Sequence, residues 1–321
     1  EICNMINVKN LTKRYVNINA VDNITFNVEE NETVGLLGPN GAGKTTTMRI
    51  LTCFMPATAG TATVAGFDVF TDSLNVRQQI GYLPENVPLY LDMRVNEYLM
   101  FRAKLKNIPR RERRKKIDYC LDLTGIRDVQ NQITGTLSKG YKQRVGLADT
   151  LIHDPKILIL DEPTIGLDPN QIMQIRQVIR GLGEKHTVLL STHILPEVEM
   201  ICDRIMIIDK GKIVAMDTPA NLMKQLKSSS NVILEIKGDG ERIKSSLSGI
   251  DSVRSVTWKE KGDANEFYVE GSAEDDIRED IFNCIVKDNY ILREMKRQPI
   301  TLEEVFHQIT TKETEEVSGN A

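Results

Sequence analysis

Apolar and polar positions change period along the chain, and the changes mark its parts. Residues 6–15 and 20–29 read as two antiparallel-type strands, followed by a third at Thr33-Val34-Gly35-Leu36-Leu37. Residues 47–51 can form a helix, and 60–84 give short strands around Val64 and Tyr82. From 95 to 123 the pattern is helical and charge-rich, with Pro109 breaking it into two helices. Helices at about 139–153, 170–183 and 195–202 then alternate with strands at 157–160, 187–191 and 204–208. In the 170–183 helix, Ile172, Ile175, Ile179 and Leu182 recur three and four apart, as on one helical face. Apolar strands alternating with amphipathic helices predict an α/β architecture, a parallel sheet covered on both faces.

After a small polar linker, Lys227-Ser228-Ser229-Ser230, the pattern shifts. Val232, Leu234 and Ile236 alternate as in a half-buried strand, and a helix is expected over 241–247. Strands at 253–259 and 266–270 flank a turn at Gly262-Asp263. A helix with Ile277, Ile281 and Ile285 on one face and a strand at 290–295 complete the series. That order is βαββαβ, the ferredoxin-like split βαβ arrangement, and predicts a separate α+β domain over 231–310. A last helix is expected at 300–310 and an acidic-leaning disordered tail at 311–321.

Composition adds exclusions. Forty-one Lys and Arg against 45 Asp and Glu leave a formal charge of −4, so no global basic field invites nucleic acid. Six cations and one Glu crowd residues 110–116, which fits a solvated helix face or a docking face toward a partner or membrane headgroups. No apolar run approaches the roughly 20 residues that cross a bilayer. No segment has the layout of a signal peptide. A cytoplasmic chain is expected, with Met5 as its native start. The five cysteines are widely spaced, with no C-x-x-C, as for reduced, buried thiols.

Chemistry concentrates at the ends of the strands. Gly38-Pro39-Asn40-Gly41-Ala42-Gly43-Lys44-Thr45-Thr46 matches G-x-x-x-x-G-K-[ST] between a strand and a helix. Glycines there free backbone N–H groups to curl around phosphate oxygens, and the helix N-terminus adds its positive end. Lys44 would reach the β and γ phosphates, and Thr45 would ligate Mg²⁺. The 157–160 strand ends in Asp161-Glu162-Pro163. An acidic residue at such a strand tip holds Mg²⁺ in phosphate-loop ATPases, and Glu162 could accept a proton from attacking water. A third stretch, Leu137-Ser138-Lys139-Gly140-Tyr141-Lys142-Gln143-Arg144, starts a helix with Ser138 as its cap.

These stretches, together with Tyr15, Gly166-Leu167-Asp168 and Ser191-Thr192-His193, fall in the order and spacing of ABC-type ATPase domains. The resemblance covers roughly residues 5–225 and implies a P-loop NTPase core with an antiparallel β subdomain and a helical subdomain at about 86–150. It implies that Tyr15 stacks on adenine and that residues 38–46 bind the phosphates of ATP. Glu162 would then be the general base, Asp161 the Mg²⁺ partner, and His193 the residue that contacts the γ-phosphate and orients water. Asp168 would communicate between two ATPase units. Ser138 and Gly140 would contact the γ-phosphate held by a second copy of the chain, because the family closes head-to-tail over two ATP molecules.

Two departures narrow the resemblance. Lys139 and Tyr141 replace the usual Gly and Gln of Leu-Ser-Gly-Gly-Gln, while Ser138 and Gly140 are kept. Glu85, after Gly81-Tyr82-Leu83-Pro84, stands where the family usually has a Gln that contacts Mg²⁺ and couples to the membrane partner. Both departures resemble exporter ATPases, including gliding-motility-associated and drug or polysaccharide exporters, which carry an extra C-terminal domain. The implied function is the ATPase subunit of an exporter, held on the inner face of the membrane by a separate transmembrane permease near residues 85–90. The alternative is a soluble ABC-type ATPase of repair or translation. Against it, fewer than a hundred residues separate Thr46 from Leu137, too few for a long coiled coil, and there is one ATPase domain. A GTPase switch would need an Asn-Lys-x-Asp element, which the sequence lacks.

Overall fold

The computed structural model describes residues 4–225, 231–271 and 277–297. The expected linker at 227–230, the helix at 300–310 and the tail lie outside them. The chain divides into two compact units between Pro219 and Ala220.

The first unit opens with β1 (Asn4–Tyr15) and β2 (Ile18–Glu29), then β3 (Thr33–Leu37) and α1 (Lys44–Leu51). β4 (Ala59–Val64), β5 (Phe67–Asp68), α2 (Ser73–Gln79) and β6 (Ile80–Leu83) follow. The helical stretch is α3 (Val95–Leu105), α4 (Arg110–Leu123) and α5 (Lys139–Leu151). Alternation then gives β7 (Ile157–Asp161), α6 (Pro169–Gly183), β8 (Thr187–Thr192), α7 (Leu195–Ile201), β9 (Arg204–Asp209) and β10 (Lys212–Asp217).

Two sheets organise these elements. One has the order β2-β1-β4-β5, and each pair is antiparallel. The other has the order β10-β9-β3-β8-β7-β6, parallel except for its β10 edge. All residues of β3, β7 and β8 are buried, as strands covered on both faces must be. The main core joins the two sheets, with Ile6, Val8, Phe26, Leu36, Met48, Ile159 and Leu189 in one cluster. Cys120 and Cys202 are buried, whereas Cys53 and Cys284, expected to be buried too, are only half-buried; Cys3 lies outside the described residues.

The division falls in the first turn of α8 (Pro219–Gln225), and the second unit goes on with β11 (Asn231–Lys237), α9 (Gly240–Ser248), β12 (Val253–Lys261), β13 (Ala264–Gly271), α10 (Arg278–Lys287) and β14 (Ile291–Arg297). From β11 onward the element order is βαββαβ. The sheet runs β12-β13-β11-β14, antiparallel throughout. Val232, Leu234, Ile236, Phe267 and Val269 point into a core with Ile243, Ile281 and Ile285 from the two helices. The opposite sheet face carries charge. Lys259 and Lys261 lie 2.7 and 3.0 Å from Glu266, and Arg293 lies 2.5 Å from Asp263. The Lys259 ammonium, the Tyr268 hydroxyl and the Lys261 ammonium hold the Glu266 carboxyl down at about 2.

Candidate functional site

Strand register assembles the site. Parallel pairing sets Leu37 beside Thr192 and Asp161 beside Ser191, so the carboxyl ends of β3, β7 and β8 finish at one edge. Ligands in open α/β sheets bind outside such strand ends. The loop after β3 turns directly into α1. Gly43 caps that helix with φ of 109°, a left-handed conformation that costs a side-chain-bearing residue but not glycine. A Cβ there would also run into the Ala20 carbonyl of β2.

Lys44 is 5 % exposed, and its Nζ donates to the carbonyls of Gly38 at 2.7 Å and Pro39 at 3.1 Å. The same ammonium lies 3.3 Å from Glu162 Oε1. Glu162 is as buried as Lys44, with a φ of 47°. Its amide donates to the carbonyl and hydroxyl of Ser191, both at 3.1 Å, which fixes the turn. Glu162 Oε2 sits 2.9 Å from His193 Nδ1, and a carboxylate acceptor selects the tautomer with the proton on Nδ1. One carboxylate thus bridges the phosphate-loop lysine and the half-exposed His193.

Asp161 lies behind this bridge and is 1 % exposed. Its Oδ1 accepts from Ser191 Oγ at 2.5 Å and Thr45 Oγ1 at 3.1 Å. Its Oδ2 is buried with no hydrogen-bond partner. A buried carboxylate oxygen left over is costly unless something else meets it, and a divalent cation with water does so. Hard oxygen donors at Thr45 and Asp161 fit Mg²⁺, which uses one or two carboxylates plus substrate phosphates. Among the described residues no group of three or more His, Cys, Asp or Glu could hold a metal by itself.

A cleft of about 320 Å³ gathers Asn40, Gly41, Gly43, Lys44, Thr45, Thr46, Glu85 and Glu162, with Ala20 on its wall. Tyr15 is not on that wall. It is 43 % exposed, with its hydroxyl 3.1 Å from the Met55 sulfur and the Lys13 ammonium over its ring. Ser138, Gly140 and Asp168 are also not on it. Ser138 caps α5 by accepting from the Tyr141 amide at 3.4 Å, and Asp168 caps α6 by accepting from the Gln171 amide at 2.9 Å. A Cβ at Gly140 would collide with the Gln171 side chain, so the two helix starts pack side by side.

Residues 21–165 match the ABC transporter family. A linearmycin resistance ATP-binding protein of Bacillus subtilis is 33% identical over 257 residues, 80% of this chain and 83% of the relative. The chain belongs to the ABC transporter ATP-binding proteins. An ABC transporter ATP-binding protein of Methanocaldococcus jannaschii is 37% identical over 84% of this chain and 97% of its own length. A bacterial ABC transporter cassette solved as a dimer has a TM-score of 0.62 and 28% identity, covering 67% of this chain and 98% of its own. The same cassette has also been solved in a post-hydrolysis state bound to ADP and Pi. This chain is the ATP-binding, ATP-hydrolysing subunit of an ABC transporter, with the P-loop NTPase fold. No described helix is long and apolar enough to cross a membrane.

Sequence reasoning gave no role to Ser191, whose hydroxyl ties Asp161 to the Glu162 turn. Its place within Ser191-Thr192-His193 was visible, but a contact across 30 residues shows only once β7 and β8 are in register.

Proposed function

We propose that this subunit drives an exporter by closing with a second copy of itself over ATP and Mg²⁺ and then hydrolysing the nucleotide. The observation that carries the site assignment is the Glu162 carboxylate between Lys44 and His193. Lys44 and backbone N–H groups within the 38–46 loop bind the phosphates, while Tyr15 offers an exposed ring for adenine. Thr45 and Asp161 hold Mg²⁺, with Glu85 close by, and the ion supplies charge neutralisation at the phosphate oxygens. Glu162 takes a proton from water as its oxygen bonds to the γ-phosphorus and the bond to the ADP oxygen breaks. His193 holds Glu162 through Nδ1 and turns Nε2 toward the reacting phosphate.

Ser138, Gly140 and Asp168 serve the facing copy. Their separation from the Lys44 cleft supports this, as does the dimeric cassette among the structural neighbours. Export is supported by relatives named for linearmycin resistance and bacitracin transport. The permease, which keeps the subunit at the inner membrane face, docks beside Glu85. A cleft of about 960 Å³ there is lined by Phe54, Leu74, Tyr82, Pro84, Val87 and Leu105.

Glu162→Gln tests the site. Turnover should fall by about a hundredfold or more, the scale of losing a general base, while ATP binding and ATP-dependent dimerisation persist. Normal turnover would sink the assignment. Stimulation of ATPase activity by the co-purified permease tests the coupling.

A further inference from the structure

Among the described residues Glu197 is the most deeply buried acid outside the nucleotide site. It is 1 % exposed and sits in the first turn of α7. Its Oε1 accepts from Thr164 Oγ1 at 2.5 Å, and its Oε2 accepts from Thr192 Oγ1 at 2.8 Å. Arg176 Nη2, on α6, lies 3.3 Å from Oε1. Thr192 Oγ1 accepts in turn from the Ile194 amide at 3.0 Å, spanning His193. Each partner belongs to a different segment. Thr164 follows Glu162 by two residues, Thr192 precedes His193, and Arg176 belongs to the helix capped by Asp168.

Burying a carboxylate in such a place is expensive unless its acceptors are filled, and here both oxygens have donors. A merely tolerated core acid needs partners of no particular origin. The two threonines come from the segments that carry Glu162 and His193. The 2.9 Å contact between those side chains depends on how the two loops are spaced. A displacement of about 1 Å at a reacting group can cost up to a hundredfold in rate.

We propose that Glu197 is a positioning residue for ATP hydrolysis: through Thr164 and Thr192 it holds the Glu162 and His193 loops at their working separation, and through Arg176 it ties them to the middle of α6. This rests on the roles given above to Glu162 and His193. Threonine hydroxyls keep the bracket adjustable, since each can rotate to follow the carboxylate. Arg176 keeps one cation on the buried charge. Movement of α6 as a body would therefore be felt at the Glu162–His193 contact.

The test compares Thr192→Val, Thr192→Ser and Glu197→Gln with the unaltered chain, in steady-state ATPase assays and in equilibrium ATP binding. Valine keeps the shape and removes the hydroxyl, while serine keeps the hydroxyl. The expected result is a kcat lowered about tenfold or more by Thr192→Val and by Glu197→Gln. ATP affinity should stay within about twofold, and Thr192→Ser should restore kcat. The double variant should lose no more than the worse single, because one bracket is broken once. Equal kcat for the valine and serine chains overturns the proposal, as does unchanged kcat in both. If Glu197→Gln does not fold, the valine and serine pair decides. The Glu162→Gln chain separates the two levels. If its turnover is normal the underlying site reading fails, whereas its loss alongside a normal Thr192→Val chain sinks only the bracket.

Discussion

Two lysine–glutamate pairs in this protein have nearly equal lengths and opposite meanings. Lys44 lies 3.3 Å from Glu162, and Lys261 lies 3.0 Å from Glu266. The first pair is buried at the end of a parallel sheet, where Asp161 keeps an unmet oxygen nearby. The second lies on a solvated sheet face where Lys259, Tyr268, Glu235 and Arg293 complete one another's contacts. Distance alone does not distinguish chemistry from surface. What separates them is burial together with polar capacity left over, since a satisfied surface lattice has nothing further to bind.

The strongest way to break the comparison is to remove each lysine. Lys44→Ala should weaken ATP binding by about a hundredfold or more, the loss of two charge-assisted contacts to phosphate. It should also destabilise the first unit by about 3–5 kcal/mol, because Glu162 is left buried without its cation. Calorimetric titration and denaturant unfolding measure the two effects.

His153 asks whether burial matters without a charged partner. Burial, helped by the nearby Lys106 ammonium, holds its imidazole down at about 4, and its Nε2 meets the Ile80 carbonyl at 2.9 Å. The folded chain thus keeps His153 neutral where the unfolded chain, at 6.5, already takes up a proton. Its contribution is intact above pH 6.5 and is lost as pH falls toward 4, by about 3 kcal/mol in all. A His153→Gln chain should show a shallower stability loss between pH 7 and pH 4.5 in urea titrations. Identical pH slopes would show that burial is not the governing term.

At the small end, Lys261→Ala should leave the thermal midpoint of the second unit unchanged, because the lysine is itself exposed and its half-buried partners keep other cations, Lys259 and Arg293. A clear drop in midpoint would mean that the charged face contributes to stability as the buried pair does.

Much of the fold is legible in the sequence because its cues are local. The β3, β7 and β8 runs are apolar, and 232, 234 and 236 alternate, so period and length identify them. The elements missed lack such cues. α2 buries only Val76, β5 is two residues long, and β10 has an irregular, half-exposed edge pattern. At the site, Lys44, Thr45, Thr46, Glu85 and Glu162 meet in one cleft because the ends of β3, β8, β7 and β6 lie along one sheet edge. Tyr15, Ser138, Gly140 and Asp168 stand off it, as residues would that need nucleotide or a second chain to complete their contacts. The Glu197 bracket was invisible for another reason. Its donors lie 33, 21 and 5 residues away, and nothing along the chain marks them as neighbours.

The grip of Lys44 on the carbonyls of Gly38 and Pro39 bears on speed as well as affinity. A loop stapled by its own side chain has little order left to lose when a nucleotide arrives, so it meets the phosphates already shaped. Association should then follow collision frequency, rising linearly with ATP concentration without the plateau of a slow rearrangement. Whatever delay the transport cycle contains would lie after capture, in the meeting of two chains.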